Sequence, residues 1–437
     1  MIDATIISRI EQLWLAQSRR ITRWGLGKLI ARSTRPGSPA YAPVPGRMLY
    51  VTASCLPYHI SGYTTRTHAV IRALRDAGGD VRVITRPGYP WDREDRRCDA
   101  SQIDTVVDGI AYRHIRRPLN NWPVLAYAFL AAEPIIERAR LDCVAAIHAA
   151  SNHVNALPAL LAARKLGIPF HYEMRGLWEL SRISRMPKYE GTQGYWQGLE
   201  LESLVARSAD KLFVISDQLG GYACKSWGIP GDRMELLPNC VDADRIAPAD
   251  PGRIEPNTLG YAGSFIAYEG LDTLISAVDM LVKRGVDVKL NIAGDGEIRS
   301  QLEAQVRELG LGNHIRFYGR VAPQAAREML DACALICIPR KPFKVCELVP
   351  PIKLVEALAM GKPVIVPDLP VFRDELGEQS AGWFFRAGDV ADLARVIETA
   401  LSDRSELAAM GARARQHAVA HRQWRDFVIR ALPLGQG

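Results

Sequence analysis

The sequence predicts an α/β protein with two doubly wound, Rossmann-like domains, and three observations carry this prediction. The chain has 437 residues, more than a single hydrophobic core usually supports. Short apolar runs rich in β-branched residues alternate with helical segments along most of it, as in parallel sheets covered by helices on both faces. Residues 243–257 interrupt this alternation with many Pro and Asp, and they are predicted to link the two domains.

Composition and charge exclude several classes of protein. Hydrophobic residues make up 48% of the chain and charged residues 24%, which is an ordinary globular composition. The net charge is +7, and residues 1–46 supply most of it, so the rest is close to neutral and no nucleic-acid partner is expected. The eight Cys residues lack zinc-type spacing and no long apolar run occurs. We therefore expect a cytoplasmic chain with reduced cysteines, no bound metal and no membrane span.

Residues 1–46 are predicted to form a basic extension that ends in a linker. The helical segment within residues 1–32 mixes large apolar side chains with the basic ones. Two interpretations stay open: the helix lies peripherally on an anionic surface of the inner membrane, or it packs on its own domain through Trp14 and Trp24. A linker rich in Pro, Gly and Ser follows at residues 33–46.

The first domain is predicted over residues 47–242. It opens with a β-α-β unit, in which a loop carrying Gly62 leads from the first strand into the helix. A long helical segment is expected around residues 192–209. The predicted strands cover residues 47–54, 80–85, 145–148, 169–173 and 211–216, and residues 236–242 close the domain.

The second domain is predicted over residues 258–420, with the same alternation of strands and helices. Residues 421–437 are predicted to form a C-terminal helix that crosses back to the first domain. The predicted strands cover residues 258–263, 288–296, 315–321, 334–340, 363–368 and 382–385.

Several residues in the second domain fall at the ends of predicted strands, where open parallel sheets bind ligands. Ser264 and Gly294 follow two strands, Arg340 ends a third, and Lys353 and Glu356 open the next helix. Each has a simpler interpretation, such as a tight turn, a solvated arginine or an i,i+3 ion pair. Together, two cations at a helix start suit a diphosphate, and a carboxylate one turn later suits ribose hydroxyls. The set therefore predicts a nucleoside diphosphate pocket.

Motifs in both halves resemble a known family over roughly residues 47–430. In the second half these are G-Y-A-G-S-F-I-A-Y-E-G-L, N-I-A-G-D-G-E, H-I-R-F-Y-G-R-V and P-I-K-L-V-E-A-L-A-M-G-K-P-V. In the first half they are L-P-Y-H-I-S-G-Y-T-T-R-T-H, A-A-I-H-A-A-S and H-Y-E-M-R-G-L-W-E. The chain resembles the family-4 retaining glycosyltransferases of the GT-B fold, in a branch associated with bacterial surface-polysaccharide assembly.

The resemblance implies two domains that face each other across a cleft, with the donor held by the second and the acceptor by the first. It implies that Glu356 binds the donor ribose, that backbone near Arg320 and Val321 meets the base, and that Gly62 lets its loop approach the diphosphate. The candidate catalytic residues are His148, Lys353 and Arg340. The candidate acceptor-side residues are His59, Asn152 and Arg175.

Three departures from the family pattern concern charged positions. Ser264 stands where the family usually has an arginine or lysine, and Glu269 stands where it usually has a lysine. We expect Arg340 and Lys353 to take over the diphosphate. Eight residues rather than the usual seven separate Glu347 from Glu356, so Glu347 is an imperfect match.

The expected activity is retaining, metal-independent transfer of a hexose from a nucleotide sugar to a polysaccharide or lipid-linked glycan. UDP is the default nucleotide and GDP the alternative, and no cofactor is expected. Asp242 and Asp244 form an Asp-x-Asp pattern, but it lies in the linker and is not expected to bind metal. A non-catalytic GT-B scaffold and a nucleotide-sugar epimerase are the alternative functions.

Overall fold

The computed structural model describes residues 4–33, 41–99, 104–377 and 381–433. It divides into two compact units: residues 238–426 form unit 2, and the described residues on either side form unit 1. Part of the predicted linker, residues 34–40, lies outside the described residues. The division falls after Leu237, a few residues before the predicted end of the first domain at 242.

Unit 1 is built on one sheet flanked by helices. Its strands are β1 (Val44–Thr52), β2 (Asp80–Thr85), β3 (Asp104–Val107), β4 (Ile110–Arg113), β5 (Val144–Ala150), β6 (Phe170–Met174), β7 (Lys211–Val214) and β8 (Met234–Leu236). Its helices are α1 (Ala4–Ser33), α2 (Gly62–Asp76), α3 (Val124–Leu141), α4 (His153–Leu166), α5 (Trp178–Ile183), α6 (Gln193–Ser208) and α7 (Asp217–Trp227).

The strands of unit 1 follow the order β3-β4-β2-β1-β5-β6-β7-β8. They run parallel except for the β3–β4 pair, which is antiparallel. The chain passes from β1 to β2 on one side and returns to β5 on the other, so the sheet changes winding direction beside β1. Ser61 caps α2 in a capping box with Thr64, which starts that helix next to the carboxyl end of β1.

Unit 2 repeats this architecture with a fully parallel sheet. Its strands are β9 (Glu255–Ala262), β10 (Lys289–Ala293), β11 (Ile315–Gly319), β12 (Cys333–Cys337), β13 (Val364–Pro367) and β14 (Trp383–Phe385). Its helices are α8 (Leu271–Lys283), α9 (Arg299–Glu308), α10 (Pro323–Ala332), α11 (Lys344–Leu348), α12 (Ile352–Ala359), α13 (Pro370–Leu376), α14 (Val390–Ser402) and α15 (Arg404–His421), and α16 (Trp424–Val428) ends in unit 1.

The strand order of unit 2, β11-β10-β9-β12-β13-β14, places the change of winding direction between β9 and β12. All of β12 and residues 258–261 of β9 are buried, because helices cover both faces of the sheet. Leu274 and Val278 of α8 pack into the same apolar core as Leu259 of β9 and Leu335 of β12. The carboxyl ends of these two strands are where such a sheet leaves space for a ligand.

Helix α1 packs against α3, α4 and α6 of unit 1. Leu26 is fully buried there, and Arg19 and Arg23 lie 3.7 Å and 3.8 Å from Glu200 of α6. Arg20, Lys28 and Arg32 are exposed. Trp14 and Trp24 are 68% and 66% exposed. Helix α1 does pack on its own domain, as one of the two interpretations expected. Trp14 and Trp24 do not make that contact, because both side chains are exposed.

The end of the chain returns to unit 1. Residues from Phe427 onward cluster with that unit, and Nζ of Lys211 donates to the carbonyl oxygen of Arg430 at 2.8 Å. Leu432 is buried against Gly79, where a β-carbon would lie 2.5 Å from Cδ2 of Leu432. The C-terminal segment thus completes the packing of a unit that begins more than 350 residues earlier.

Candidate active site

The carboxyl edge of the unit 2 sheet brings together loops from several strands. Gly263 follows β9 and Gly294 follows β10, and the two approach so closely that a β-carbon on Gly294 would overlap the carbonyl oxygen of Gly263. A β-carbon on Gly263 would in turn lie 2.5 Å from Nζ of Lys353, at the start of α12. The predicted residues Gly294 and Lys353 therefore border the same narrow space, next to the change of winding direction.

Three further predicted residues lie on the outer part of this edge. Ser264 is exposed, and its carbonyl oxygen accepts a hydrogen bond from the hydroxyl of Tyr261 at 3.0 Å. Arg320 is also exposed, with NH2 3.9 Å from Oδ2 of Asp295, and Val321 is half-buried. Ser264 is exposed, and the Arg320 guanidinium, within the part of the chain that the structure describes, is held only by a long contact of 3.9 Å with Asp295. Both residues are therefore accessible to a ligand.

Lys353 is the cation best placed to contact a ligand. Its Nζ donates to the hydroxyl of Tyr261 at 2.7 Å and to Oε2 of Glu269 at 2.8 Å. An ammonium group has three donors, so one is left after these two bonds. The side chain is 17% exposed. Leu354 and Leu358 are buried and anchor α12, whose unpaired backbone N–H groups begin beside the ammonium.

Arg340 lies deeper than Lys353. Its NH2 donates to Oε1 of Glu269 at 2.8 Å and its NH1 to the carbonyl oxygen of Val349 at 2.9 Å, while Nε is buried without a partner. The guanidinium side chain is 9% exposed. From the sequence we expected Arg340 and Lys353 to take over the diphosphate from the missing family cations. In the structure Glu269 is paired with both, so part of their positive charge is already compensated.

Glu269 dominates the electrostatics of this cluster. Burial alone would raise the pKa of Glu269, but Arg340 and Lys353 lower it to about 2, so the carboxylate is ionised. Burial lowers the pKa of Lys353, an effect that Glu269 opposes and Arg340 reinforces. In the sequence, Glu269 was noted only because it replaces the lysine that is usual in the family. A negative charge at 269 together with a positive charge at 353 was the signal that could have predicted the pair.

Glu356 lies one turn into α12 and is half-buried. Burial raises its pKa, against the opposing charges of Arg327 and Lys353. Its carboxylate accepts no hydrogen bond from the described part of the chain, unlike that of Glu269. A carboxylate that has no hydrogen-bond donor of its own among the described residues suits the two neighbouring hydroxyls of a ribose, which would supply those donors.

In unit 1, His148 and Arg175 belong to a buried network around Glu173. Oε2 of Glu173 accepts from NH2 of Arg175 at 2.7 Å and from the hydroxyl of Tyr50 at 2.9 Å, and lies 3.4 Å from Nε2 of His148. His148 is fully buried and stacks on Tyr50, with ring centroids 4.8 Å apart. No part of His148 is exposed, so its ring has no open surface here for the predicted contact with a sugar. Arg175 is likewise 7% exposed and serves the same network.

The other unit 1 residues lie at the carboxyl edge of that sheet. His59 is exposed in the loop after β1, and Gly62 is the exposed first residue of α2. Asn152 follows β5, and its Oδ1 accepts from the backbone N–H of Val154 at 3.2 Å, which caps α4. Since its amide nitrogen is left over, Asn152 can still meet a ligand.

Acidic residues elsewhere form no metal centre within the described ranges, where no group of three or more metal-ligating side chains occurs. Asp242 of the Asp-x-Asp pattern pairs with Arg245 at 2.7 Å. Glu347, the imperfect family match, pairs with Lys344 at 2.8 Å on the surface of α11. Each of these two carboxylates is therefore paired with a basic side chain other than Lys353.

Family models match both units. "Glycosyl transferase 4-like domain" matches residues 61–240, and "Glycosyl transferases group 1" matches residues 245–417. The chain is 24% identical over 352 residues to a 2-deoxystreptamine glucosyltransferase from Streptomyces kanamyceticus, covering 76% of this chain and 87% of that one. It is 30% identical over 226 residues to a phosphatidyl-myo-inositol mannosyltransferase from Mycobacterium leprae, and it spans about half of that relative, 55% of its length.

A solved structure shows the same fold. The Anabaena protein HepE, in complex with UDP-glucose, matches with a TM-score of 0.66 at 17% identity, over 88% of this chain and 98% of that one. This likeness confirms the predicted pair of Rossmann-like α/β domains with parallel sheets. Together with the two family models, which cover most of both units, it identifies the chain as a glycosyltransferase with the GT-B fold.

Proposed function

We propose that this protein is a retaining, metal-independent glycosyltransferase that moves a hexose from a nucleoside diphosphate to a polysaccharide or lipid-linked glycan. The observation that carries the proposal is the position of Lys353. It brings a partly exposed ammonium with one remaining donor to the carboxyl end of β9, beside Gly263 and the start of α12. A diphosphate is the group that this combination of cation, open backbone and helix start fits best.

The chemistry follows from charge. When the anomeric C–O bond of the donor breaks, the sugar gains positive charge and the leaving diphosphate gains negative charge. Lys353 and the N–H groups of α12 stabilise that negative charge as it develops. For retention, the acceptor hydroxyl attacks from the face that the leaving group departs, and a phosphate oxygen takes its proton. This route needs no carboxylate base, and Glu356 remains for the ribose.

The comparisons support the classes of donor and acceptor without fixing either. UDP-glucose is bound by HepE, which favours UDP as the nucleotide here, with GDP as the alternative. The mycobacterial relative is named for transfer to phosphatidyl-myo-inositol, a lipid, which favours an acceptor at a membrane. A lipid-linked acceptor for a bacterial surface glycan would also lie at a membrane.

The exposed face of α1 supports a peripheral membrane contact. Leu13, Trp14, Ile21 and Trp24 are all exposed, and at 100° per residue they fall within an arc of about 100°. Among the described residues, no helix is both long and apolar enough to cross a bilayer. Such a face suits a helix that lies in the membrane interface, where tryptophan is favoured.

Basic and aromatic neighbours extend this face. Arg20 and Lys28 are exposed on the same side of α1 and would attract anionic lipid. A β-carbon on Gly25 would lie 3.1 Å from Cδ2 of Leu125 in α3, so the two helices touch there. Trp122 and Phe129, three residues before and four after Leu125, are exposed as well. We infer that α1 and the start of α3 rest together on an anionic membrane.

The experiment that tests the enzymatic proposal is a calorimetric and thermal-shift panel with UDP, GDP, ADP and their sugar conjugates, each with and without EDTA. We expect one nucleoside diphosphate to bind and to stabilise the protein equally in both conditions. Loss of binding with EDTA would contradict metal independence. A missing response to every nucleotide would contradict the donor site.

One observation favours a second candidate, a non-catalytic GT-B partner. Glu269 neutralises part of the charge that a diphosphate would use. In that case the wild-type protein would bind a nucleotide sugar without hydrolysing it or transferring its sugar to any acceptor. Slow release of free sugar from the bound donor, followed over hours, distinguishes the enzyme from the partner.

A further inference from the structure

Glu269 contacts three polar side chains at the candidate diphosphate site: Arg340, Lys353 and Tyr261. Its carboxylate accepts from NH2 of Arg340 at 2.8 Å and from Nζ of Lys353 at 2.8 Å. The hydroxyl of Tyr261 lies 3.2 Å from the same carboxylate and shares its one proton between it and the carbonyl oxygen of Ser264. The side chain is only 5% exposed. Two cations and one carboxylate leave this trio with a single net positive charge, where the lysine expected from the family resemblance would have left three.

The backbone around Glu269 holds the carboxylate in place. Gly270 follows it with a φ of +74°, and a β-carbon there would overlap the carbonyl oxygen of Pro339. The backbone N–H of Lys341 donates to the carbonyl oxygen of Tyr268 at 2.9 Å. The turn that carries Glu269 is therefore tied to the segment after β12, which fixes the backbone from which the carboxylate reaches the two cations.

The two cations differ in what they can still do. Arg340 is the deeper one, with NH1 and NH2 engaged and only a buried Nε without a partner. Lys353 is more exposed and keeps one donor, beside Gly263. A ligand at the sheet edge therefore meets Lys353 first, while Arg340 stands behind Glu269.

We propose that Glu269 is a positioning residue for glycosyl transfer: its carboxylate, held from behind by Arg340, fixes the ammonium of Lys353 so that the remaining donor of that ammonium is directed at the donor diphosphate. This inference rests on the proposed function and assigns a role to a carboxylate at a position where a cation was expected. It also explains why a buried arginine accompanies the lysine, since Arg340 keeps Glu269 ionised.

Titratable groups face Lys353 from each element packed around it: β9, the turn after it, the segment after β12, and helices α11 and α12. They are Tyr261, Glu269, Arg340, Cys346 and Glu356. Burial lowers the pKa of Lys353 and Arg340 lowers it further, whereas Glu269 and Glu356 raise it. Removing the charge of Glu269 should therefore let Lys353 lose its proton at a lower pH.

The test measures binding of inorganic pyrophosphate, UDP and GDP by calorimetry at pH 6 and pH 9. With Glu269→Gln we expect affinity at pH 6 equal to or tighter than wild type, because the site has gained net positive charge. At pH 9 we expect affinity at least ~10-fold weaker, since a shift of one pKa unit changes the protonated fraction about tenfold. An equal loss at both pH values, or no loss at pH 9, would overturn the proposal.

Two further variants keep the test decisive. Asp279→Asn is the matched control, because Asp279 accepts from Nζ of Lys283 at 2.7 Å on the outer side of the same unit, and it should bind like wild type at both pH values. Arg340→Gln removes the charge that lowers the pKa of Lys353 and leaves Glu269 beside it. This variant should therefore lose affinity at a higher pH than wild type, the opposite direction to Glu269→Gln. If Glu269→Gln does not fold, an unchanged or lower pH for Arg340→Gln overturns the proposal instead.

Failure of the proposed function is distinguishable from failure of this inference. If pyrophosphate binds with the expected pH behaviour but UDP and GDP do not bind, the nucleotide proposal fails and the role of Glu269 stands. If the nucleotides bind but affinity in Glu269→Gln does not depend on pH as expected, only the role of Glu269 fails. Absence of binding by all three ligands to the wild-type protein overturns both.

Discussion

Arg66 and Glu173 form a two-point ion pair inside unit 1, with Oε1 of Glu173 accepting from Nε at 3.0 Å and from NH2 at 2.7 Å. Glu173 is fully buried and Arg66 is nearly so. Together with Arg175, the pair joins α2 to the sheet at β6. A buried carboxylate between two guanidinium groups tolerates no loss of charge, because each cation would be left without compensation.

We therefore expect Glu173→Gln to lower the free energy of unfolding by about 3–5 kcal/mol. Urea unfolding at pH 7 measures it. The matched control is Glu200→Gln, since Glu200 lies 3.7 Å and 3.8 Å from Arg19 and Arg23 in a surface setting and should change stability by under about 1 kcal/mol. Similar small effects of both substitutions would contradict a structural role for the buried network.

The same pair predicts how stability depends on pH. Burial alone would raise the pKa of Glu173, but Arg175 and Arg66 hold it well below its usual range. A carboxylate with a lowered pKa in the folded state stabilises the protein above its unfolded pKa of about 4.3, and this stabilisation is lost as the pH falls. The wild-type protein should lose stability below about pH 4 more steeply than Glu173→Gln, as followed by urea unfolding across pH 3–7.

Lys353→Ala should lower turnover at least ~10²-fold, through loss of a charge-assisted contact to the donor in a dry site. Single-turnover transfer with the donor found in the nucleotide panel measures this. Lys341→Ala is the control: this lysine also pairs with a carboxylate, Asp272 at 2.6 Å, but on a different side of the loop. Near-normal transfer by Lys353→Ala would remove the lysine from the site.

Glu356 should show opposite effects on stability and on activity. Its raised pKa means that burial penalises the ionised form, so at neutral pH the charge costs stability. Glu356→Gln should therefore raise Tm by roughly 1–4 °C in the absence of ligand, and it should lower turnover at least ~10²-fold. A destabilised variant with unchanged turnover would mean that the carboxylate serves the fold instead of the ribose.

Gly294 should not accept a side chain. Its φ is +140°, and a β-carbon there would overlap the carbonyl oxygen of Gly263. Gly294→Ala should lower the unfolding free energy by at least ~2 kcal/mol and abolish nucleotide binding. Gly312→Ala is the control, because a β-carbon at Gly312 meets open space. Normal nucleotide binding by Gly294→Ala would show that the two loops can separate without cost.

The membrane proposal predicts that Trp14→Ala/Trp24→Ala weakens binding to vesicles of anionic lipid at least ~10-fold while the unfolding free energy stays within about 0.5 kcal/mol of wild type. Both rings are exposed, so little packing is lost. Trp178→Ala provides the control, since Trp178 is a 59% exposed tryptophan of α5, away from α1 in sequence. Equal vesicle binding by the double variant and the wild type would contradict the proposed face.

Most of the fold could be predicted from local sequence patterns. The strand predicted at residues 80–85 is the observed β2, Asp80–Thr85. The prediction was accurate because the ends of a short run of β-branched residues coincide with the ends of the strand. The start of β9 at Glu255 was missed because its first residues are exposed and include Pro256, so they read as linker. The hairpin of β3 and β4 was not predicted either, since each strand has only four residues.

The site was harder to predict than the fold because its decisive contacts join distant residues. Glu269 meets Arg340 and Lys353 across 71 and 84 positions of sequence, and no spacing rule reports such a pairing. His148 was assigned from its position near a strand end, yet side chains alternate along a strand, and this one points into the sheet's core packing. Strand ends can be read from sequence, whereas the direction and partners of each side chain depend on tertiary structure.

The parallel sheet of unit 2 also determines where this protein can be modified without harm. At its carboxyl edge Gly263 lies close to both Gly294 and Lys353, so an insertion there would separate groups that must act together. The turns that enter β10 and β11 at the opposite edge contain Gly285 and Gly312, with open space around both. A fluorophore, affinity tag or surface tether placed at those turns would report on the enzyme while leaving the chemistry of the other edge untouched.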